Sequence, residues 1–197
     1  MDHTACIPAL RFGSGRVLTS DEEAEFAALV GRQARFAFRV AYAVLLNSAD
    51  AEDAVQEMFL KLHRHGRWQR AENERAFVAR VAWRTAVDLR RAARPASFSE
   101  PVGCDSPIDP PSSSPDPEET VLMANQEALV HRMIDALPED LRLPLVLASS
   151  QEMNSREIAG VLGIPEGTVR TRLQRARQMV RQKLEASLIR RKETHRD

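Results

Sequence analysis

Cysteine is almost missing from this chain of 197 residues. Cys6 and Cys104 are the only two, far apart and set in polar, irregular sequence, so no disulfide framework is expected and both read as reduced thiols. Aromatic residues make up only 5% of the chain. No apolar run approaches the roughly 20 residues that a membrane span needs, which excludes membrane insertion. Residues 1–20 lack the apolar segment of a signal peptide and read as an untethered tail on a cytoplasmic protein. There is no glycine-rich phosphate loop, no nucleophile elbow and no pair of carboxylates at catalytic spacing. His63 and His65 lie two apart on a helical stretch and point to different faces, with no third ligand nearby. No catalytic residue, metal site or cofactor is expected, and the chain does not read as an enzyme. A net charge is missing as well: 28 basic residues balance 28 acidic ones.

That balance conceals an uneven distribution. Between Pro95 and Thr120 there are six acidic residues and no Lys or Arg, whereas Arg170 to Asp197 holds ten basic residues against three acidic. Regional asymmetry of this kind points to a nucleic-acid surface more reliably than the total does. Seven of the eleven prolines fall between Pro95 and Pro117, in "PASFSEPVGCDSPIDPPSSSPDP". Such a segment neither propagates a helix nor buries much apolar surface. Residues 95–117 are therefore expected to form a flexible linker, able to reach on the order of 60–70 Å at roughly 3 Å per extended residue.

The linker divides two lobes with no strand pattern, so the fold class is all-α. In the first lobe, residues 21–94, Phe26, Leu29, Val30, Phe36, Ala37, Val40 and Val44 recur at helical spacing. A second helix begins near Asp50, buries Val55, Phe59 and Leu62, and stops at Gly66 behind Lys61, His63, Arg64 and His65. A third, "ERAFVARVAWRTAVDLRRAAR", buries Phe77, Val78, Val81 and Val87, giving a bundle of three or four helices. The second lobe, residues 118–187, reads as four helices followed by a basic tail at 188–197. Its first stripe is Val121, Leu122, Leu129, Met133, Ile134 and Leu137, and Pro144 is expected to kink or shorten the next helix.

The informative stretch is "NSREIAGVLGIPEGTVRTRLQRARQMVRQKL", Asn154 to Leu184. Asn154 with Glu157 three residues on forms a capping box for a helix of barely two turns that buries Ile158, Ala159 and Leu162. Gly163 supplies the positive φ of a tight connection. In the next helix Val169, Leu173, Ala176, Val180 and Leu184 make the buried stripe, which turns Arg170, Thr171, Gln174, Arg175, Arg177 and Arg181 outward. A short helix, a glycine turn and a longer helix with such a face is the helix-turn-helix design. Arginine offers a fork to guanine and glutamine can bridge adenine, while threonine and arginine hold phosphates.

"SREIAGVLGIPEGTVRTRLQRAR" resembles region 4 of the sigma-70 family in its small extracytoplasmic-function (ECF) group, and "DAEDAVQEMFLKLHRH" with "FVARVAWRTAVDLRR" resembles region 2. The resemblance implies an RNA polymerase sigma factor that directs core enzyme to −10 and −35 promoter elements. It places Asp53, Gln56, Glu57 and Leu60 against the clamp helices of the largest polymerase subunit, and region 4 at the flap. It assigns the −35 element to Thr168, Arg170, Thr171, Gln174, Arg175 and Arg177, and the −10 element to Trp68, Arg80 and Arg84. The third helix departs from the usual Ala-Arg-Asn: Trp83 stands in place of the Arg and Arg84 in place of the Asn. Small factors of this kind are often held by an anti-sigma partner. The alternative reading is a regulator of the LuxR/NarL type, which shares the helix-turn-helix segment but leaves the first lobe without a role.

Overall fold

The computed structural model describes residues 19–93, 128–149 and 153–194, all helix and connecting turn with no strand among them. The proline-rich linker, the N-terminal tail, both cysteines and the expected core residues Val121 and Leu122 lie outside the described residues.

Helix α1, Ser20–Leu45, starts at a capping box in which Thr19 accepts from the Glu22 amide and Glu22 accepts from the Thr19 amide. It ends at Leu46, which takes φ 54° without being glycine. Asn47 then caps α2, Ser48–His65, by accepting from the Asp50 amide. Two residues thus reverse the chain. Helix α2 stops at Gly66 with φ 61° and a hydrogen bond to the Leu62 carbonyl, behind the expected cluster of His63, Arg64 and His65. A short 3-10 turn, Arg67–Arg70, leads to α3, Glu74–Ala92, capped by Asn73.

These three helices make the first bundle, but much of its closest packing falls to small residues that periodicity of large side chains underweights. The buried residues of α1 include Ala37, Ala41 and Ala43, and those of α3 are Val78, Ala79, Ala82, Thr85 and Ala86. Phe77, Val81 and Val87, expected in the core, are only half-buried. Alanine on facing helices lets the axes approach, so the larger side chains sit at the margins. In α2 Met58 is fully buried, while Val55 is half-buried.

The second body contains helical residues 128–135 (α4), α5 (Glu139–Ser149), α6 (Ser155–Leu162) and α7 (Glu166–Thr194). Pro144 lies inside α5 and is buried; the helix runs five residues beyond it to Ser149. Helix α7 continues past the expected boundary at 187 to Thr194.

The lobes, read from sequence as independently folded bodies on a tether, are packed against each other. One hydrophobic cluster runs without a break from Leu29, Phe36 and Val40 of α1 to Leu143 and Leu147 of α5, Ile158 and Val161 of α6 and Val169 of α7. A smaller cluster, Leu137, Leu141 and Ala176, belongs to the second body alone. At the seam Arg142 of α5, only 5% exposed, donates from Nε to the Ala43 carbonyl at 2.8 Å and from Nη1 to the Asp135 carbonyl at 2.6 Å. Arg90 of α3 reaches the Val44 carbonyl at 3.4 Å and the Glu139 carboxylate at 2.6 Å. The last turn of α1 has no basic residue of its own, so two arginines from elsewhere serve its exposed carbonyls.

Candidate nucleic-acid interface

Helix α6 is built as the local sequence requires. The Asn154 side chain accepts from the Arg156 and Glu157 amides, both at 3.0 Å, and Glu157 returns the bond to the Asn154 amide at 2.8 Å. Gly163 closes the helix at φ 67°, its N–H on the Ala159 carbonyl. Ile158 and Val161 are the buried pair of α6; Ala159 and Leu162, expected beside Ile158, are half-buried, because the neighbours include the first bundle as well as α7. On α7 Val169, Leu173 and Ala176 are buried as expected, Val180 is half-buried and Leu184 is exposed. The stripe therefore runs off the body after about three turns, and the rest of α7 projects.

This phasing turns Arg170, Thr171, Gln174, Arg175, Arg177 and Arg181 to solvent, with Thr168 half-buried at the start of the row. Arg170, Gln174, Arg177 and Arg181, together with Ser155 at the first turn of α6, line an open cleft of about 690 Å³. Gln178 lines it too. Ser155 and Gln178 were not singled out from sequence, although Gln178 follows Gln174 by four residues on the same face. Arg170 is held by Glu166 one turn earlier at 2.6 Å, and the Thr171 hydroxyl donates to the Gly167 carbonyl at 3.0 Å. Arg175 and Arg177 make no ion pair among the described residues. An exposed row of forked donors beside a helix N-terminus suits phosphates and base edges of a duplex groove.

The residues assigned to a second DNA element are not brought together in the same way. Trp68 packs against Phe26 with ring centroids 5.6 Å apart, and its indole N–H is buried without a hydrogen-bond partner among the described residues. The contact anchors the turn Arg67–Arg70 on α1 and leaves Trp68 half-buried. His63 also meets the Phe26 ring, edge-on, with centroids 5.2 Å apart. Arg80 is exposed and donates to the Gly160 carbonyl of α6 at 2.5 Å. Arg84, one turn on, is exposed with no partner among the described residues, and so is Asp88.

On α2, Asp53, Gln56, Glu57 and Leu60 share an exposed face. Glu57 is paired with Lys61 at 2.8 Å, and Leu60 keeps 48% of its surface in water, the largest such value for a bulky apolar residue among the described residues. Leu60 thus lies exposed on the same helix face as the carboxylates of Asp53 and Glu57.

Sequence profiles place this architecture. Residues 29–95 match "Sigma-70 region 2" and residues 127–180 match "Sigma-70, region 4", in that order along one chain. The chain belongs to the sigma-70 family of RNA polymerase sigma factors, in its ECF group. It is 32% identical to the ECF RNA polymerase sigma-E factor of Escherichia coli K12 over 73% of this chain and 78% of that one. It is 32% identical to the RNA polymerase sigma-H factor of Pseudomonas aeruginosa, covering 72% and 77%. The ECF RNA polymerase sigma factor SigE of Mycolicibacterium smegmatis is 30% identical over 78% of this chain, which spans 59% of that relative's length. Among solved structures, the sigma factor RpoE in complex with the anti-sigma factor NepR from Bartonella quintana superposes with a TM-score of 0.59 at 18% identity, covering 85% and 98%. CnrH in complex with the cytosolic domain of CnrY gives 0.55 at 22%, covering 83% and 90%. The region 2 match gives the first lobe the role that the LuxR/NarL alternative lacked.

The region 2 match takes in α1 from Leu29 onward together with α2 and α3, and the region 4 match runs from α4 to Val180 within α7. No described helix is long and apolar enough to cross a membrane.

Proposed function

We propose that this sigma factor binds core RNA polymerase through the α2 face of Asp53, Gln56, Glu57 and Leu60, against the clamp helices, with region 4 at the flap. It directs initiation at −35 elements read by Thr168, Arg170, Thr171, Gln174, Arg175 and Arg177, and at −10 elements met by α3, with Arg80 and Arg84. It works in the cytoplasm as a non-catalytic specificity subunit, and an anti-sigma factor is a partner, a reading supported by likeness to the sigma factor RpoE in its complex with the anti-sigma factor NepR. The observation that carries the reading is the outward row of α7, set in correct phase by a capped short helix and Gly163 and supplied in the same chain as region 2.

The neutral total charge supports the same reading. Duplex affinity rises with the number of phosphates neutralised, so a chain without net positive charge holds free DNA weakly. Joining two weak sites on one polymerase adds a factor of about 10² to 10⁴. Run-off transcription with purified core polymerase over a promoter library tests the proposal. Specific transcripts that need this chain support it; transcripts only when a second sigma factor is present would return the LuxR/NarL alternative.

A further inference from the structure

Three arginines of the first bundle have no task in the proposed function. Arg35 and Arg39 stand one turn apart on α1, both exposed, and Arg75 belongs to the first turn of α3. The Arg75 guanidinium lies over the Phe36 ring, 4.6 Å from its centroid, which fixes it against α1. The same junction is held by Glu74, which accepts from Arg32 at 2.9 Å and from Gln33 at 2.7 Å. That carboxylate is engaged by its neighbours, and this part of α1 supplies no other, for no Asp or Glu occurs from Phe26 to Ala49. Neither Arg35 nor Arg39 makes an ion pair among the described residues. Burial first, and then the charges of Arg35 and Arg75, holds Arg39 below the ordinary arginine range.

Like charges gathered on rigid helices repel one another until an anion arrives between them. The chemistry favours phosphate. All three residues are arginines, whose planar forks hold two phosphate oxygens at once. Arg35 and Arg39 are about 6 Å apart at their Cβ atoms, so each can meet a phosphate of its own. A protein partner would need an apolar centre, and the exposed bulky apolar residues among the described ones, Leu60, Val130 and Leu184, all lie off α1. The cluster is also separate from the α3 residues proposed for the −10 element. Arg84 follows Arg75 by nine residues, about two and a half turns, and so leaves α3 on the opposite side.

We infer that Arg35, Arg39 and Arg75 form a further nucleic-acid contact, a clamp on backbone phosphates that adds affinity without reading sequence. The inference rests on the proposed function for the identity of that nucleic acid, promoter DNA. On a chain with no net charge, two or three such contacts supply a large share of the electrostatic affinity. They also fix the orientation of the first lobe on the strand it engages.

Gly31 allows a test that does not weaken the fold. It is exposed one turn before Arg35, and a Cβ there meets no atom within 4 Å. Gly31→Glu sets a carboxylate beside Arg35 and Gly31→Lys adds a cation, and both remove a glycine from a helix interior. Fluorescence anisotropy follows holoenzyme on a duplex promoter from the run-off library, and on the same promoter with a pre-melted bubble, over about 50–200 mM salt. Arg35→Gln with Arg39→Gln should lower the slope of log affinity against log salt by about 1.8 for duplex phosphates, or about 1.4 for single-stranded ones. The two templates separate those sources. Arg35→Lys with Arg39→Lys should keep most of the slope, while Gly31→Glu lowers it and Gly31→Lys raises it by about 0.9. Base preference should stay as in the parent, and core polymerase should bind every variant within about twofold. An unchanged slope on both templates overturns the clamp. So does a changed preference at one base, which makes these residues readers, or a loss confined to polymerase binding, which makes them a protein-docking surface. The same slopes are taken with the free chain on mixed-sequence single- and double-stranded oligonucleotides below about 50 mM salt. If the parent fails to bind polymerase, the proposed function falls, and the free-chain slopes still decide for or against the clamp.

Discussion

Replacing Arg142 by methionine removes the most buried charge of the described residues while keeping an unbranched, flexible side chain of similar reach. The guanidinium makes two hydrogen bonds to carbonyls, at 2.8 Å to Ala43 and 2.6 Å to Asp135. Bonds to a charged group are worth about 1.5–3 kcal/mol each, and both acceptors would be left without this donor. Set against that is burial itself, the main influence that holds Arg142 below the usual arginine range, with Asp135 and Glu139 opposing it. Relief of that desolvation returns part of the loss, since burying an ion costs several kcal/mol. The net is a destabilisation of about 2–4 kcal/mol. For a protein of this size that corresponds to a midpoint on the order of 5–15 °C lower. Thermal and urea unfolding followed by circular dichroism measures it directly. Arg142→Lys should recover a portion, because an ammonium group can still reach one carbonyl. A loss below about 1 kcal/mol for Arg142→Met would refute the assignment of Arg142 as the donor that closes the end of α1.

Other outcomes follow from local geometry. Gly163→Ala meets no steric neighbour, so its cost is the backbone alone, about 1 kcal/mol for φ 67°, and Gly163→Asn should cost less; urea midpoints compare them. Asn154→Ala removes the acceptor of two amides and should destabilise α6 by about 1 kcal/mol, seen as earlier amide exchange at Arg156 and Glu157. Alanine at Gln174 or Arg175 should lower −35-dependent transcription and relax base preference at one position, by about 1–3 kcal/mol, with the melting temperature unchanged. The pH dependence has two opposite contributions. Burial disfavours the Glu74 carboxylate, but the bonds from Arg32 and Gln33 outweigh it and hold its pKa below the ordinary value. Its contribution is therefore present above the unfolded pKa of 4.5 and lost as pH falls through the folded one, so Glu74→Gln should flatten the acid limb of a stability profile. Asp135 is raised, chiefly by burial, so its contribution is fully present below 3.8 and declines as pH rises through the folded pKa. The advantage of Asp135→Asn over the parent should accordingly be greater at pH 7 than below pH 3.8.

Elements whose causes are local were legible in sequence. The capping box at Asn154 and the turns at Gly66 and Gly163 appear where the sequence places them, because each depends on a few neighbouring residues. The outward row of α7 followed from a period of 3.6 and needed no partner to define it. Residues whose fate depends on a distant surface were harder. The packing of Trp68 on Phe26, a residue of another helix, is set by the tertiary arrangement and has no local signal in the sequence. Met58 and the alanines of α3 were overlooked because burial there reflects how closely two axes approach, which no single helix encodes.

The sequence by itself determined that this is an all-helical sigma factor with a basic, correctly phased recognition helix, since helix formation, capping and amphipathicity are properties of contiguous residues. Tertiary structure alone decided that the lobes close on each other. Arg142 satisfies a helix end 99 residues away, Arg80 bonds to a glycine carbonyl 80 residues on, and Leu46 accepts a left-handed backbone so that α1 and α2 can pack. Those outcomes come from satisfying buried polar groups across a gap in the chain, and the pairing becomes visible only once the two surfaces are set in contact.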